Sequence, residues 1–137
     1  HAPHAPETKD KGYAQATFGV IGLENALSSS WQALGVEEGM PLPDFVARWT
    51  TGPAKLIKLP PPTLAPAATP ASFTLVDFDA SWQIDPDNFA SRSRNCPFNG
   101  QRVPGRVLLT VCEGSVTWLD PAWQGAQALA AAVRQPR

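Results

Sequence analysis

Cysteine and long apolar runs are scarce in this sequence of 137 residues. The two cysteines, Cys96 and Cys112, are too few and too far apart for a disulfide framework or a Cys-x-x-Cys metal site, so we expect two reduced core thiols in a cytoplasmic protein. The longest apolar runs, such as residues 128–133, are much shorter than the roughly 18 residues of a membrane-spanning helix. The sequence therefore predicts no membrane span.

An excess of charge of one sign is also missing. Eleven Lys and Arg residues stand against twelve Asp and Glu residues, and the formal net charge is −1. The basic residues are scattered along the chain rather than clustered, which argues against a nucleic-acid or anionic membrane surface. We therefore expect neither nucleic acid nor membrane among the partners of this protein.

The first half of the chain predicts a loop followed by a helix. Residues 1–19 have little hydrophobic periodicity and contain prolines and a charged run at 7–11, which is typical of a loop. From Val20 onwards, apolar residues recur at spacings of three and four, namely at Leu23, Ala26, Leu27, Trp31 and Leu34. Gly35 is placed to end this helix.

A second helix is predicted from about Asp44, where Pro43 and Asp44 supply its start. Its buried face would consist of Phe45, Val46 and Trp49. The Gly-Pro pair at 52–53 would break this helix, and residues 54–59 would form one further turn.

Strands are predicted after a proline-rich connector. Five prolines lie within residues 60–70, which excludes a regular helix or a central strand there. The predicted strands cover residues 72–78, 81–84, 106–112 and 115–119. Glu113 and Gly114 would join the last two as a tight hairpin. The mostly apolar segment 107–111 predicts a strand covered on both faces, and the Ala-rich stretch 121–134 favours a final helix.

Histidines at positions 1 and 4 form the first motif that carries chemistry. A His-x-x-His pair in a loop is a weak metal signal when no third ligand lies nearby, and a structural loop is the alternative.

Two other clusters are similarly ambiguous. The basic run 91–94 suggests anion binding or a solvated turn, for which the turn is favoured. The carboxylates Asp77, Asp79, Asp85 and Asp87 lack calcium-loop spacing and favour strand-end turns.

Four ordered motifs resemble those of dihydroorotases, which are metal-dependent cyclic amidohydrolases. The first combines His-Ala-Pro-His at 1–4, a short charged loop, and Phe-Gly-Val-Ile-Gly-Leu-Glu at 18–24. The others are Thr-Gly-Pro-Ala-Lys-Leu at 51–56, Leu-Ala-Pro at 64–66, and Ser-Arg-Ser-Arg-Asn-Cys-Pro-Phe-Asn-Gly at 91–100 followed by Gly-Arg-Val at 105–107. Together they cover about residues 1–118. Thr17 and Cys96 depart from the proline and threonine that are common in the family.

The resemblance implies an α/β fold, in which the end of a (β/α)₈ barrel is followed by strands of a small β-rich domain. Residues 1–59 would form the active-site loop after barrel strand eight and the closing helices, and residues 60–71 the connector. Residues 72–119 would supply the C-terminal strands of the small domain, and residues 120–137 a helical tail. Since the only methionine is the internal Met40, we also expect a C-terminal fragment of a longer protein.

The resemblance also implies the roles of individual residues. His4 matches the family histidine that binds the free carboxylate of the substrate, and Phe18 and Gly19 match the backbone pair that closes on the substrate ring. Ala2 would contact the same carboxylate through its main chain, and His1 would be loop scaffold. For Phe18 a plain core aromatic is the alternative.

No metal ligand and no catalytic residue of the family is expected in this chain. In dihydroorotases zinc activates the water, and its ligands lie earlier in the barrel, up to an aspartate that would directly precede His1. The implied reaction of the parent protein is the reversible zinc-dependent cyclisation of N-carbamoyl-L-aspartate to dihydroorotate in pyrimidine biosynthesis. The isolated chain is expected to be inactive.

Two alternatives to this function stay open at the level of the sequence. One is a non-catalytic dihydroorotase-like subunit that supports aspartate transcarbamoylase. The other is a related cyclic amidohydrolase, either an allantoinase or a hydantoinase. The implied partners are the small-molecule substrate, a second copy in a homodimer, or aspartate transcarbamoylase.

Overall fold

The computed structural model of the protein describes residues 1–63 and 70–126. The chain combines helices with a small sheet, as the predicted α/β class requires. The helical elements are α1 (Pro6–Lys9), α2 (Ala26–Trp31), a π-helical segment (Gln32–Glu37), α3 (Leu42–Trp49), α4 (Thr51–Leu56) and a 3₁₀ turn (Pro86–Asn88). The strands are β1 (Phe73–Gln83), β2 (Arg102–Cys112) and β3 (Ser115–Leu119).

The first long helical region differs from the prediction at both ends. The α-helix starts at Ala26 rather than Val20, and it continues through Gly35 as a π-helical segment that ends at Glu37. Gly35 is therefore not a helix terminator. A Cβ atom built at Gly35 would lie 2.1 Å from the indole ring of Trp31, so this position lacks a side chain because the ring occupies that space.

The second helical region breaks two residues earlier than expected. The break lies at Thr50, whose backbone is non-helical (φ −128°, ψ −87°), and the Gly-Pro pair at 52–53 lies inside α4. Proline is tolerated there because the amide groups of a first helical turn have no intrahelical partner. The predicted buried face is only partly correct. Phe45 is buried, whereas Val46 and Trp49 are about 40% and 44% exposed.

The sheet has the strand order β1-β2-β3, and β2 pairs with β3 in antiparallel register from Leu109↔Leu119 to Cys112↔Ser115. Glu113 and Gly114 join these strands with positive φ angles of 48° and 78°, the backbone of a tight two-residue hairpin turn. This hairpin was predicted correctly. The apolar segment of β2 is half-buried rather than covered throughout, since only Leu109 within it is buried.

Strand β1 is continuous where two separate strands were predicted. Asp77 and Asp79 lie inside it at alternate, exposed positions, so the prediction of strand-end turns is wrong for these two residues. Because side chains alternate along a strand, both carboxylates lie on the same face, where they do not interrupt the backbone hydrogen bonds between strands. Asp85 does form a turn, because its Oδ1 accepts a hydrogen bond from the amide of Asp87 at 3.0 Å and caps the 3₁₀ turn.

The described residues divide into two compact units. The first consists of residues 1–45 and 79–105. Its core is formed by Ile21, Ile84, Cys96 and Val103, against which the partly buried Trp82, Phe89 and Phe98 pack. Phe45 lies in the same unit and makes an edge-to-face contact with Trp31, with ring centroids 5.0 Å apart.

The second unit consists of the described part of residues 46–78 and 106–137. Its most buried polar residue, Asp120, is 3% exposed. Asp120 forms a two-point ion pair with Arg106, in which Arg106 Nη2 donates to Asp120 Oδ1 at 2.9 Å, and the same oxygen accepts from the amide of Ala122. These hydrogen bonds and the positive charge of Arg106 offset the cost of burying the Asp120 carboxylate.

Of the two cysteines, Cys96 is buried as expected, and Cys112 is exposed. The expectation of two core thiols is wrong for Cys112 because it is the last residue of β2, beside the hairpin turn. Within the described ranges, no helix is both long and apolar enough to cross a bilayer. The predicted connector is described only at 60–63 and 70–71, and most of the predicted tail helix, from residue 127, lies outside the described residues.

Candidate functional site

The N-terminal segment and residues 18–23 lie side by side in the first unit. The amide of Ala2 donates to the carbonyl of Val20 at 2.7 Å. The Nδ1 atom of His1 accepts from the amides of Gly22 and Leu23 at 3.3 and 3.4 Å. The two ends of the first motif, which the sequence separates by a charged loop, are therefore in direct contact.

The half-buried His4 contacts Phe18, and the resemblance to dihydroorotases assigns both residues to the same site. The Nε2 atom of His4 lies 3.0 Å from the carbonyl oxygen of Phe18. Because a carbonyl only accepts, Nε2 donates and carries the hydrogen in this arrangement. The structure thus orients the imidazole through one ring nitrogen and leaves Nδ1 without a partner in the described part of the chain.

Gly19 packs against Ala2 more closely than any other residue type would allow. Its φ angle is +100°, and a Cβ atom built there would lie 2.6 Å from the Cβ atom of Ala2 and 3.6 Å from His4 Nε2. Both the backbone conformation and the available space demand glycine at this position. The structure therefore brings Ala2, His4, Phe18 and Gly19 together.

The side chain of Phe18 is 91% exposed and that of the nearby Tyr13 is fully exposed. Phe18 is therefore not a core aromatic of the described residues, which was the alternative that the sequence left open. Tyr13 belongs to the loop that connects the two paired segments, and Phe18 is the first residue after this loop.

The side chain of Lys9 joins the two ends of the loop at residues 9–17, a role that the sequence did not reveal. Its Nζ atom donates to the carbonyls of Thr17 and Gly19 at 2.7 and 2.6 Å. The charged run 7–11 gave no reason to distinguish Lys9 from its neighbours. The loop between Lys9 and Thr17 is thus held at both ends by backbone and ammonium contacts.

Asn95 is the second residue of the site that sequence reasoning missed. Its side-chain amide donates to the carbonyls of Ala2 at 2.9 Å and Gly19 at 3.4 Å, and its Oδ1 accepts from the amide of His4 at 3.4 Å. Its main-chain carbonyl accepts from Ile21 at 3.2 Å. The only available signal was its membership of the fourth motif.

The basic run at 91–94 is part of a tightly bonded turn. Arg94 pairs with Asp87 at 2.8 Å and also donates to the carbonyls of Ser91 and Ser93. The carboxylate of Glu24 accepts from the amides of Ala90 and Ser91 at 2.9 and 3.2 Å. These contacts support the interpretation of the run as a structural turn.

The two histidines do not form a metal site with other residues of the described chain. His1 Nδ1 already accepts from two amides, and His4 Nε2 already donates to a carbonyl. No group of three or more His, Cys, Asp or Glu side chains placed to hold a metal exists among the residues described. The donor set of the described residues therefore does not fit zinc.

Comparison with known proteins identifies dihydroorotases as relatives of this chain. A dihydroorotase of Syntrophotalea carbinolica is 40% identical over 119 residues, which is 86% of this chain and 27% of that relative. One from Pelotomaculum thermopropionicum is 40% identical over 121 residues, 88% of this chain and 28% of the relative. One from Desulforapulum autotrophicum is 41% identical over 118 residues, which is 86% of this chain and 27% of that relative.

No family model matches the chain. The chain spans about a quarter of the length of the curated relatives it matches. The aligned share of the chain agrees with the range over which the four sequence motifs extend. The chain belongs to the dihydroorotase family, in which it matches one segment, in agreement with its interpretation as the C-terminal part.

Proposed function

We propose that the protein to which this chain belongs is a dihydroorotase, which interconverts N-carbamoyl-L-aspartate and dihydroorotate. The observation that carries the proposal is the identity of about 40% to dihydroorotases over 119 residues. The contact between His4 and Phe18 supports it, because it joins two residues that the family resemblance assigns to the same site. The relatives reported above do not favour an allantoinase or a hydantoinase.

In this proposal His4 binds the free carboxylate of the substrate. With Nε2 donating to the carbonyl of Phe18, the ring presents Nδ1 to an anion. A carboxylate oxygen needs a donor, so the ring that binds it is doubly protonated, with one N–H on Phe18 and the other on the substrate. The bond to Phe18 thus holds the imidazole in place before substrate arrives.

Phe18, Gly19 and Ala2 form the rest of the substrate contact. The absence of a side chain at Gly19 leaves its backbone open to close approach by a planar ring. Ala2 would contribute main-chain polar groups to the same carboxylate. These residues bind and orient the substrate, and no catalytic residue is assigned to this chain.

The remaining parts of the proposal concern the longer protein. Zinc would be held by residues outside this chain, since the residues that the structure describes include no group of three or more metal-binding side chains. Residues 1–59 would follow barrel strand eight of an amidohydrolase fold, and residues 60–71 would connect them to small-domain strands at 72–119 and a tail at 120–137. The protein would be cytoplasmic, and homodimers or a complex with aspartate transcarbamoylase are candidate assemblies.

Steady-state kinetics of the full-length protein test the role of His4. We expect His4→Ala to raise the KM for dihydroorotate about tenfold to hundredfold, because the lost hydrogen bond is charge-assisted, while kcat falls less. Lys11→Ala, which removes an exposed cation from the same loop, is the matched control and should leave KM within about twofold of wild type.

Wild-type protein that contains zinc but turns over neither dihydroorotate nor carbamoyl aspartate would refute the proposed activity. That result would favour a related cyclic amidohydrolase, whereas a full-length protein without zinc and without turnover would favour the non-catalytic subunit. An active wild type whose KM is unchanged by His4→Ala would retain the activity and refute the role of His4.

A further inference from the structure

The substrate-binding segments proposed above are not held together by their own contacts alone. Residues 1–4 and 18–19 belong to two stretches of chain, and the side chain of Asn95 is bonded to the backbone of Ala2, His4 and Gly19. This residue is separated from His4 by 91 positions and from Gly19 by 76. Asn95 belongs to residues 79–105, the second part of the first unit, and its side chain contacts the candidate site.

The chemistry of the side chain matches its surroundings. A carboxamide has one acceptor oxygen and one donor nitrogen with two hydrogens. Here the oxygen receives the amide of His4, and the nitrogen donates to the carbonyls of Ala2 and Gly19. All three bonds to loop backbone therefore use the polarity that an asparagine provides and that neither aspartate nor leucine would reproduce.

Asn95 is itself firmly placed. Its main-chain carbonyl accepts from Ile21, and the next residue, Cys96, lies in the buried core with its Sγ atom 3.7 Å from Asn25 Oδ1. Because the backbone of Asn95 is fixed next to the core, its side chain holds the loop backbone at a defined distance from the core. The loop bonds themselves join half-buried groups, where hydrogen bonds compete less with water than at an open surface.

We propose that Asn95 is a positioning residue for substrate binding: it sets the separation between the His4 segment and Gly19. This inference rests on the proposed function, since it assigns the way in which the same site is held in shape. Asn95 touches no reacting atom in this scheme. It acts through His4, whose main-chain amide it binds, and through Gly19, whose carbonyl it shares with Lys9.

The test uses the full-length protein with dihydroorotate as the substrate. Asn95→Ala removes all three bonds, and we expect KM to rise roughly tenfold while kcat changes by less than about threefold, because substrate and transition state share the displaced contacts. Asn95→Asp keeps the acceptor for His4 and replaces both donors by an anion that faces two carbonyls. It should raise KM at least as much.

Matched controls are available four residues further along the chain. Asn99 is exposed, and its side chain makes no hydrogen bond within the described residues. Asn99→Ala and Asn99→Asp should therefore leave both KM and kcat unchanged. Zinc content and thermal unfolding of every variant are measured in parallel. If Asn95→Ala does not fold, the nearly isosteric Asn95→Asp carries the test.

A double-mutant cycle separates positioning from a general structural role. If Asn95 acts through His4, the rise in KM for the His4→Ala and Asn95→Ala double variant should be clearly smaller than the product of the two single effects. Multiplying effects would overturn the proposal, as would a KM for Asn95→Asp equal to that of Asn99→Asp. Lack of activity in the wild-type protein would instead refute the proposed function.

Discussion

Position 19 accepts only glycine, for two independent reasons. The backbone there has a φ of +100°, in a region that L side chains rarely adopt, and a Cβ atom would lie 2.6 Å from that of Ala2. The first reason is local to the residue. The second depends on the pairing of Ala2 with Val20 and exists only in the folded chain. Sequence comparison alone indicated that this glycine belongs to a motif.

Gly19→Ala should therefore loosen the paired segments. We expect the pairing between Ala2 and Val20 to weaken by about 1–3 kcal/mol, which corresponds to roughly 5- to 150-fold faster hydrogen exchange of the Ala2 amide. Hydrogen–deuterium exchange of the full-length protein would measure this. Gly12→Ala is the control, since a Cβ atom at Gly12 meets nothing within 4 Å. Equal exchange in both variants would contradict the steric explanation.

Secondary-structure elements were predictable where their signals are local. The hairpin between β2 and β3 was predicted correctly because a two-residue connection ending in glycine constrains the backbone at once. The helix around Trp31 was predicted, but its end was not. Gly35 was interpreted as a terminator, whereas its role is to leave room for an indole ring four residues earlier. A side-chain contact of this kind has no signature in the glycine itself.

The hairpin still contains one unfavourable residue. Glu113 has a φ of 48° with a side chain that is rarely found in this conformation, whereas asparagine tolerates it. Glu113→Asn should stabilise the hairpin by about 0.5–1 kcal/mol, and Gly114→Ala should destabilise it by a similar or larger amount. Hydrogen exchange at the paired residues of β2 and β3 would report both changes. A slower-exchanging Gly114→Ala variant would contradict the turn assignment.

At the scale of the whole molecule, the chain accounts for about a quarter of its relatives' length and supplies binding rather than reactive groups in our proposal. Each of its two histidines uses one ring nitrogen in a backbone contact, and no group of three metal-binding side chains exists among the described residues. We therefore expect the isolated 137-residue chain to bind less than about 0.1 equivalents of zinc and to show no turnover, since a stable zinc site needs three or four protein ligands.

Elemental analysis after gel filtration, together with a dihydroorotate assay, checks this expectation. The full-length protein, treated in parallel, serves as the positive control and should retain its metal. Stoichiometric zinc or measurable turnover in the isolated chain would show that the ligand set has been assigned to the wrong part of the protein.

The sequence by itself determined the family, the order of the motifs and the local turns, because these depend on residue identity and on spacings of a few positions. Only the tertiary structure decided that Asn95 contacts Ala2 and His4 across 93 and 91 positions, that β1 is continuous, and that Phe45 rather than Trp49 is buried. Long-range packing chooses among many locally allowed arrangements, so contacts of this kind leave no periodicity to detect.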